Sequence, residues 1–151
     1  MLLDDGTTYQ YSTIKDLNEM SMNPLPVPLI KMNYKDDNSD GKVESYDLTI
    51  QLKGDPSKVR RIEVYGTFDY FIEYKLKMLM IGMIHMQVDT PIGASKVIVY
   101  GDLNLDQRKP ILIDSVTRSI YHIDPFVDVK QEQYSIEQIV QDYNGRNGKF
   151  E

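Results

Sequence analysis

Across residues 62–88 nearly every second position is apolar or aromatic: Ile62, Val64, Phe68, Tyr70, Ile72, Tyr74, Leu76, Met78, Met80, Ile84, Met86 and Val88, with glycines at 66 and 82. The intervening positions begin polar, with Arg61, Glu63, Thr67, Asp69, Glu73, Lys75 and Lys77. Successive side chains of a strand point to opposite sides, so a period of two predicts a strand with one buried face. One strand of this length would run roughly 90 Å, far beyond a small domain. The run must therefore fold back, and the two lysines flanking Leu76 place the break within residues 74–79. Beyond it the odd positions Leu79, Ile81 and Met83 are apolar too, which predicts a strand covered on both faces.

The flanks repeat the pattern in shorter pieces. Residues 7–14 suggest a strand with Tyr9 and Tyr11 on one face, and residues 15–22 a helical turn. Pro24, Pro26 and Pro28 hold an extended lead into a strand over 29–34. Residues 43–52 alternate cleanly, with Tyr46, Leu48, Ile50 and Leu52 inward and Ser45, Asp47, Thr49 and Gln51 outward. Residues 96–105 alternate again through Val97, Val99, Gly101, Leu103 and Leu105, and residues 111–113 and 119–123 are short strand candidates. Turn signals stand between them, among them Asp5-Gly6, Gly54-Asp55-Pro56, Thr90-Pro91 and Asp124-Pro125. A single stretch has helical spacing: Ile136, Ile139, Val140 and Tyr143 form one stripe, Ser135 with Gln138 makes a capping box, and Asn144-Gly145 ends it. Residues 145–151 are expected to fray. The chain reads as mainly β, an antiparallel β-sandwich with one short C-terminal helix over about 135–144, in a single domain spanning 1–151.

Composition narrows the function. The net charge of −6 argues against non-specific nucleic-acid binding, which needs a basic face. There is no cysteine, so neither disulfides nor thiolate chemistry enter. No apolar run reaches the length of a membrane span, and no N-glycosylation sequon occurs.

The sharpest chemical signal is the acidic loop that opens at Asp36. Asp36, Asn38, Asp40, Gly41 and Asp47 fall on positions 1, 3, 5, 6 and 12 of a calcium loop, Glu44 on position 9, and Lys42 on the position that gives a backbone carbonyl. A hard divalent cation needs about six to eight oxygens, and this spacing lets one short loop wrap it. Gly41 permits the sharp turn. The flanks are extended, so this would be a strand–loop–strand calcium site and not an EF-hand. The competing reading is a solvated hairpin loop whose Asp40-Gly41 makes the turn.

Other candidates carry less. His85 lies among methionines and isoleucines and reads as a hydrogen-bonded core or interface residue. His122 beside Asp124 has no accompanying nucleophile or anion hole, and Asp102 with Asp106, which as an acid pair would suit glycoside hydrolysis, reads as surface carboxylates beside a turn, so no catalytic site is predicted. Tyr65 and Phe71 interrupt the polar odd face of the long strand and are candidate interaction residues, with packing inside the domain as the alternative.

The chain resembles the transmembrane protein 231 family of the ciliary transition zone. The resemblance rests on Asp5-Gly6 followed by an aromatic and Ser12-Thr13, on Val27-Pro28-Leu29, and on Asn38-Ser39-Asp40-Gly41-Lys42. It continues through Phe68-Asp69-Tyr70, the methionine-rich run, Val99-Tyr100-Gly101-Asp102-Leu103, Gln107-Arg108-Lys109-Pro110, Ile139-Val140 and Tyr143-Asn144-Gly145-Arg146-Asn147. No one motif is a signature; their order and spacing carry the likeness. It implies part of the extracytoplasmic portion of a two-pass membrane protein, incomplete at both ends and lacking both spans. It further implies a non-catalytic structural role in the tectonic-like (Meckel) complex, which gates membrane-protein traffic at the cilium base. The partners would be other membrane and B9-type proteins of that complex. The acidic loop is shared by the family, although the position of Asp47 is not always acidic there, and the family's glycosylation sequons are missing here. The alternative is a calcium-dependent extracellular module binding carbohydrate or protein.

Overall fold

The computed structural model describes residues 1–41, 43–73, 77–108, 118–119, 121–127, 136–146 and 148–150. Lys42, residues 74–76 of the expected break, the strand candidate at 111–113 and Ser135 of the capping box lie outside the described residues. The elements in chain order are β1 (Leu2–Leu3), α1 (Lys15–Glu19), β2 (Leu29–Lys35), β3 (Ser45–Gln51), a 3-10 turn (Pro56–Lys58), β4 (Val59–Glu73), β5 (Lys77–Asp89), β6 (Leu105–Gln107), β7 (Arg118–Ser119), α2 (Ile136–Asn144) and β8 (Gly148–Phe150). The fold is mainly β, in antiparallel sheets with one short helix near the C-terminus, as the alternation predicts.

One sheet has the order β1-β4-β5-β7; β2 pairs with β3 and β6 with β8. β1 runs antiparallel to β4 and β7 parallel to β5. Arg61 meets Asp89, Tyr65 stacks on His85 and Gly66 faces Ile84, so β4 and β5 run antiparallel. This is the fold-back that the length of the run demanded. The chain divides into two compact units, Met1–Ile62 with Asp89–Lys96, and Glu63–Val88 with Val97–Glu151.

In the first unit, Thr90 is buried and stitches its turn to β4. Its N–H donates to the Arg60 carbonyl at 2.7 Å and its hydroxyl to the Val59 carbonyl at 2.8 Å. The turn continues to Gly93, at φ +83°, which lies directly against Pro56 and Ser57. Asp55 caps the 3-10 turn by accepting from the Ser57 hydroxyl and N–H, bonds that hold its carboxyl below the usual aspartate range.

The same unit holds the β2–β3 hairpin, whose register runs without a shift from Leu29↔Gln51 to Lys35↔Ser45. Even-numbered residues share a face, giving the cross-strand pairs Ile30–Ile50, Met32–Leu48 and Tyr34–Tyr46. Alternation placed Tyr46, Leu48 and Ile50 inward. In the structure this face is uncovered: Ile30, Met32, Tyr34, Tyr46 and Leu48 are all exposed.

The second unit carries two apolar clusters. Met78 and Met80 on β5 pack with Phe68, Tyr70 and Ile72 of β4 and with Leu105. Met83, on the opposite face of β5, packs with Ile139 and Tyr143 of α2, together with Phe126 and Val140. β5 is therefore covered on both faces along its first half, as its apolar odd positions predict, and opens at His85 and Gln87, which are exposed. Helix α2 buries the expected stripe. Gln138 donates to Asp142 at 2.8 Å.

Four further expectations are corrected. Residues 7–14 form no strand, only isolated bridges at Thr8 and Gln10. Of residues 96–105 only Leu105 joins a ladder, although Val97, Val99 and Leu103 alternate as a strand would. Within 119–123 only Ser119 lies in a described strand, and Tyr121 takes a left-handed conformation at φ 57°. Alternation states which side each residue would face, but a strand also needs a neighbouring backbone to bond. The tail, expected to fray, instead supplies β8, where Lys149 pairs with Asp106 in register and is buried.

Candidate functional site

The acidic loop joins β2 to β3. Its backbone is bent by residues in left-handed conformations, Ser39 at φ 56° and Gly41 at φ +81°. Asp36, half-buried at the end of β2, holds the loop from inside. One carboxylate oxygen accepts from the Asp40 N–H at 3.1 Å and the other from the Gly41 N–H at 3.0 Å. Asn38 also accepts from the Asp40 N–H, at 2.9 Å, and Glu44 accepts from the Asp37 N–H at 2.9 Å. The result brings one carboxylate oxygen each from Asp36, Asp40 and Glu44 within 4.8 Å of one another.

Of the six residues the calcium spacing singled out, the structure gathers these three carboxylates. Asn38 turns its side-chain oxygen onto the loop backbone. Asp47 stands apart, on β3 opposite Asn33, with its carboxylate 3.8 Å from the Lys35 ammonium. Its strand has already begun, and the pleat aims its odd positions to the polar face. The three gathered carboxylates are hard oxygen donors suited to a divalent cation. The backbone bonds to Asp36 and Asn38 also close the turn by themselves.

Tyr65 and Phe71 lie on β4. Tyr65 is half-buried: its ring stacks on His85 with centroids 4.5 Å apart and planes 6° apart, and meets Phe126 edge-on at 6.2 Å. Its hydroxyl donates to Glu63 at 2.7 Å. Phe71 is 50% exposed. His85 is thus a surface ring packed on an aromatic neighbour. His122 is exposed, and Asp124 faces elsewhere, accepting from the Thr67 hydroxyl at 2.9 Å and the Phe126 N–H at 2.9 Å. Asp106 lies 3.6 Å from Arg108.

Sequence reasoning missed Arg146. Its guanidinium sits 4.9 Å from the ring centroids of both Tyr121 and Tyr143 and donates to the Ile81 carbonyl at 3.1 Å. Burial pulls its pKa below the ordinary arginine value, while the neighbouring Tyr143, Tyr121 and Asp124 pull it back up. The signal was one arginine just past a helix, which alone points nowhere.

Among the described residues no helix is long and apolar enough to cross a membrane. No solved structure matches the chain. Transmembrane protein 231 of Xenopus tropicalis is 26% identical over 148 residues, covering 94% of this chain and 46% of that protein. The human protein of the same name is 28% identical over 102 residues, covering 67% of this chain and 32% of its own length, and that of Gallus gallus is 28% identical over 105 residues, covering 69% and 33%. The chain thus spans at most about half the length of these curated relatives. A profile of the family described as Transmembrane protein 231 matches residues 2–151, and the chain belongs to that family.

Proposed function

We propose that this chain is a non-catalytic interaction domain on the extracytoplasmic side of a ciliary transition-zone membrane protein. There it packs against other membrane and B9-type proteins of the tectonic-like complex, contributing to the membrane diffusion barrier at the cilium base and to cilium assembly. Membership of the family supports the membrane setting. The observation that carries the interaction is the uncovered face of the β2–β3 hairpin. An isolated two-stranded hairpin is marginally stable in water, and a contiguous exposed apolar face marks a contact surface. Covering the remaining exposed half of five such side chains is worth roughly 5 kcal/mol before the cost of association.

The test uses the full-length, tagged gene product in a ciliated cell. It is expected to concentrate at the cilium base and to co-purify with the complex. Met32→Lys with Leu48→Glu, an opposite-charge pair directly across the two strands, should keep the thermal melt and lose the co-purification. Spread over the whole plasma membrane, or co-purification untouched by both substitutions, would overturn the proposal. In the genomic sequence, runs of about 20 apolar residues on both sides of this reading frame would support the two-pass topology.

A second reading, a calcium-dependent binding module for carbohydrate or protein, is favoured by the approach of Asp36, Asp40 and Glu44. It expects melting to rise in about 1–10 mM calcium relative to chelator, since a ligand held only by the folded state stabilises it. Asp40→Ala should erase the rise. An unchanged melt would leave the loop as a turn held by its own hydrogen bonds.

A further inference from the structure

Residues 96–104 run without a turn or bend into β6, yet none of them joins a ladder. Among the described residues no hydrogen bond or ion pair reaches any of them. Val97, Ile98, Val99, Tyr100 and Leu103 all stand in water, Tyr100 at 90% exposure. Valine, isoleucine and tyrosine suit a pleated strand, and no proline interrupts the row. An unpaired apolar strand of this kind is a template for another backbone.

The charges at its two ends select the occupant. In an antiparallel pair about a twofold axis perpendicular to the sheet, the numbers of facing residues share one even sum, because the axis keeps each side chain on its own face. Centred on Val99, the pairing sets Lys96 opposite Asp102, Val97 opposite Gly101, Ile98 opposite Tyr100 and Val99 opposite itself. Each unlike pair occurs twice. Lys96 and Asp102 are both exposed. Moving the centre by one residue to Tyr100 would set Asp102 against Ile98, and moving it to Ile98 would set Lys96 against Tyr100, so the charges favour a single register. We propose that two copies of this chain associate through residues 96–104, paired antiparallel about Val99 into one two-stranded ribbon. Its even face carries Ile98 and Tyr100 of both copies between two Lys96–Asp102 pairs. Opposite charges, and an aromatic beside a β-branched residue, are the cross-strand pairs that stabilise a ladder. A sheet edge of another protein would offer the same backbone groups but would have to supply both charges in reverse order, which a second copy does by symmetry. The hairpin face takes no part.

So short a ribbon is a small contact, and the dimer should form at high micromolar rather than nanomolar protein. The test is sedimentation velocity of the whole chain from about 1 µM to about 500 µM, across which monomer should give way to dimer. Lys96→Glu should weaken dimerisation roughly tenfold, and Asp102→Lys likewise, because each sets like charges opposite at both ends of the ribbon. The two substitutions together exchange the signs and should restore the dimer. Both positions are exposed, so the variants should melt like the parent. The chain has no cysteine, so a single one reports the register. Under mild oxidation Val99→Cys should link to its own counterpart across the axis, whereas Val97→Cys, about 13 Å along the strand from its counterpart, should not. The proposal is overturned by linkage as fast at 97 as at 99, by a double reversal no better than either single one, or by a dimer that Met32→Lys with Leu48→Glu dissolves. A chain that stays monomeric throughout overturns it too, and leaves this strand to the sheet edge of a different protein.

Discussion

A single methyl group is enough to disrupt the turn at Gly93. A Cβ there would stand 2.5 Å from the Pro56 carbonyl oxygen and 2.8 Å from the Ser57 Cα, and these are backbone atoms that cannot swing aside. The backbone also sits at φ +83°, which costs an L-residue about 1–2 kcal/mol. Gly93→Ala should therefore cost about 2–4 kcal/mol, read from urea unfolding followed by circular dichroism. Gly41 provides the control. Its φ is +81° but nothing lies within 4 Å of an added Cβ, so Gly41→Ala should cost only the conformational part, about 1–2 kcal/mol. Equal losses at the two sites would show that the packing of Gly93 on Pro56–Ser57 contributes nothing.

At the scale of elements, α2 is tied to β5 by more than its apolar stripe. The Tyr143 hydroxyl accepts the Met83 N–H at 2.9 Å inside the core, where Tyr143 is 2% exposed. Tyr143→Phe keeps the ring and leaves that N–H without its acceptor, so stability should fall by about 1–3 kcal/mol. Hydrogen exchange would place the loss at Met83 and α2, with the β2–β3 hairpin unaffected. Which elements the sequence revealed follows from the range of the interactions that make them. β4, β5, the hairpin and α2 announce themselves because each imposes its own period on neighbouring residues. Residues 97–104 carry the same period and join no ladder, because a ladder depends on a partner that no local pattern names. β8 shows the converse: Gly148, Lys149 and Phe150 have no period worth reading, yet they pair with residues more than forty positions earlier. The acidic loop lies between these cases. Spacing alone picked out Asp36, Asp40 and Glu44 together with Asn38, Lys42 and Asp47, and the structure brings the carboxylates of the first three near one another on one tight turn. Spacing could not show that Asp47 would be drawn off by Lys35, which depends on where β3 begins.

For the molecule as a whole, the apolar inventory is divided unusually. Large side chains stay in water along the hairpin and at Ile98, Val99, Tyr100 and Leu103, while the tightest packing gathers on the methionines of β5. That division suits a domain whose surface is completed by other proteins. Its family was legible in the sequence only through short motifs kept in order, because at 26–28% identity roughly three quarters of the aligned positions differ. The hairpin residues proposed to face a partner carry no such mark. The thioethers offer a way to watch the molecule open. Met22 is 97% exposed and Met32 63%, whereas Met78, Met80 and Met83 are at most 3% exposed. Dilute peroxide should add oxygen to the first two quickly and reach the other three only when β5 is pried from its neighbours, a sequence that peptide mass spectra can time. Once oxidised, the inner three become polar and no longer fit their places, so the first full opening in peroxide should also be the last from which the chain returns.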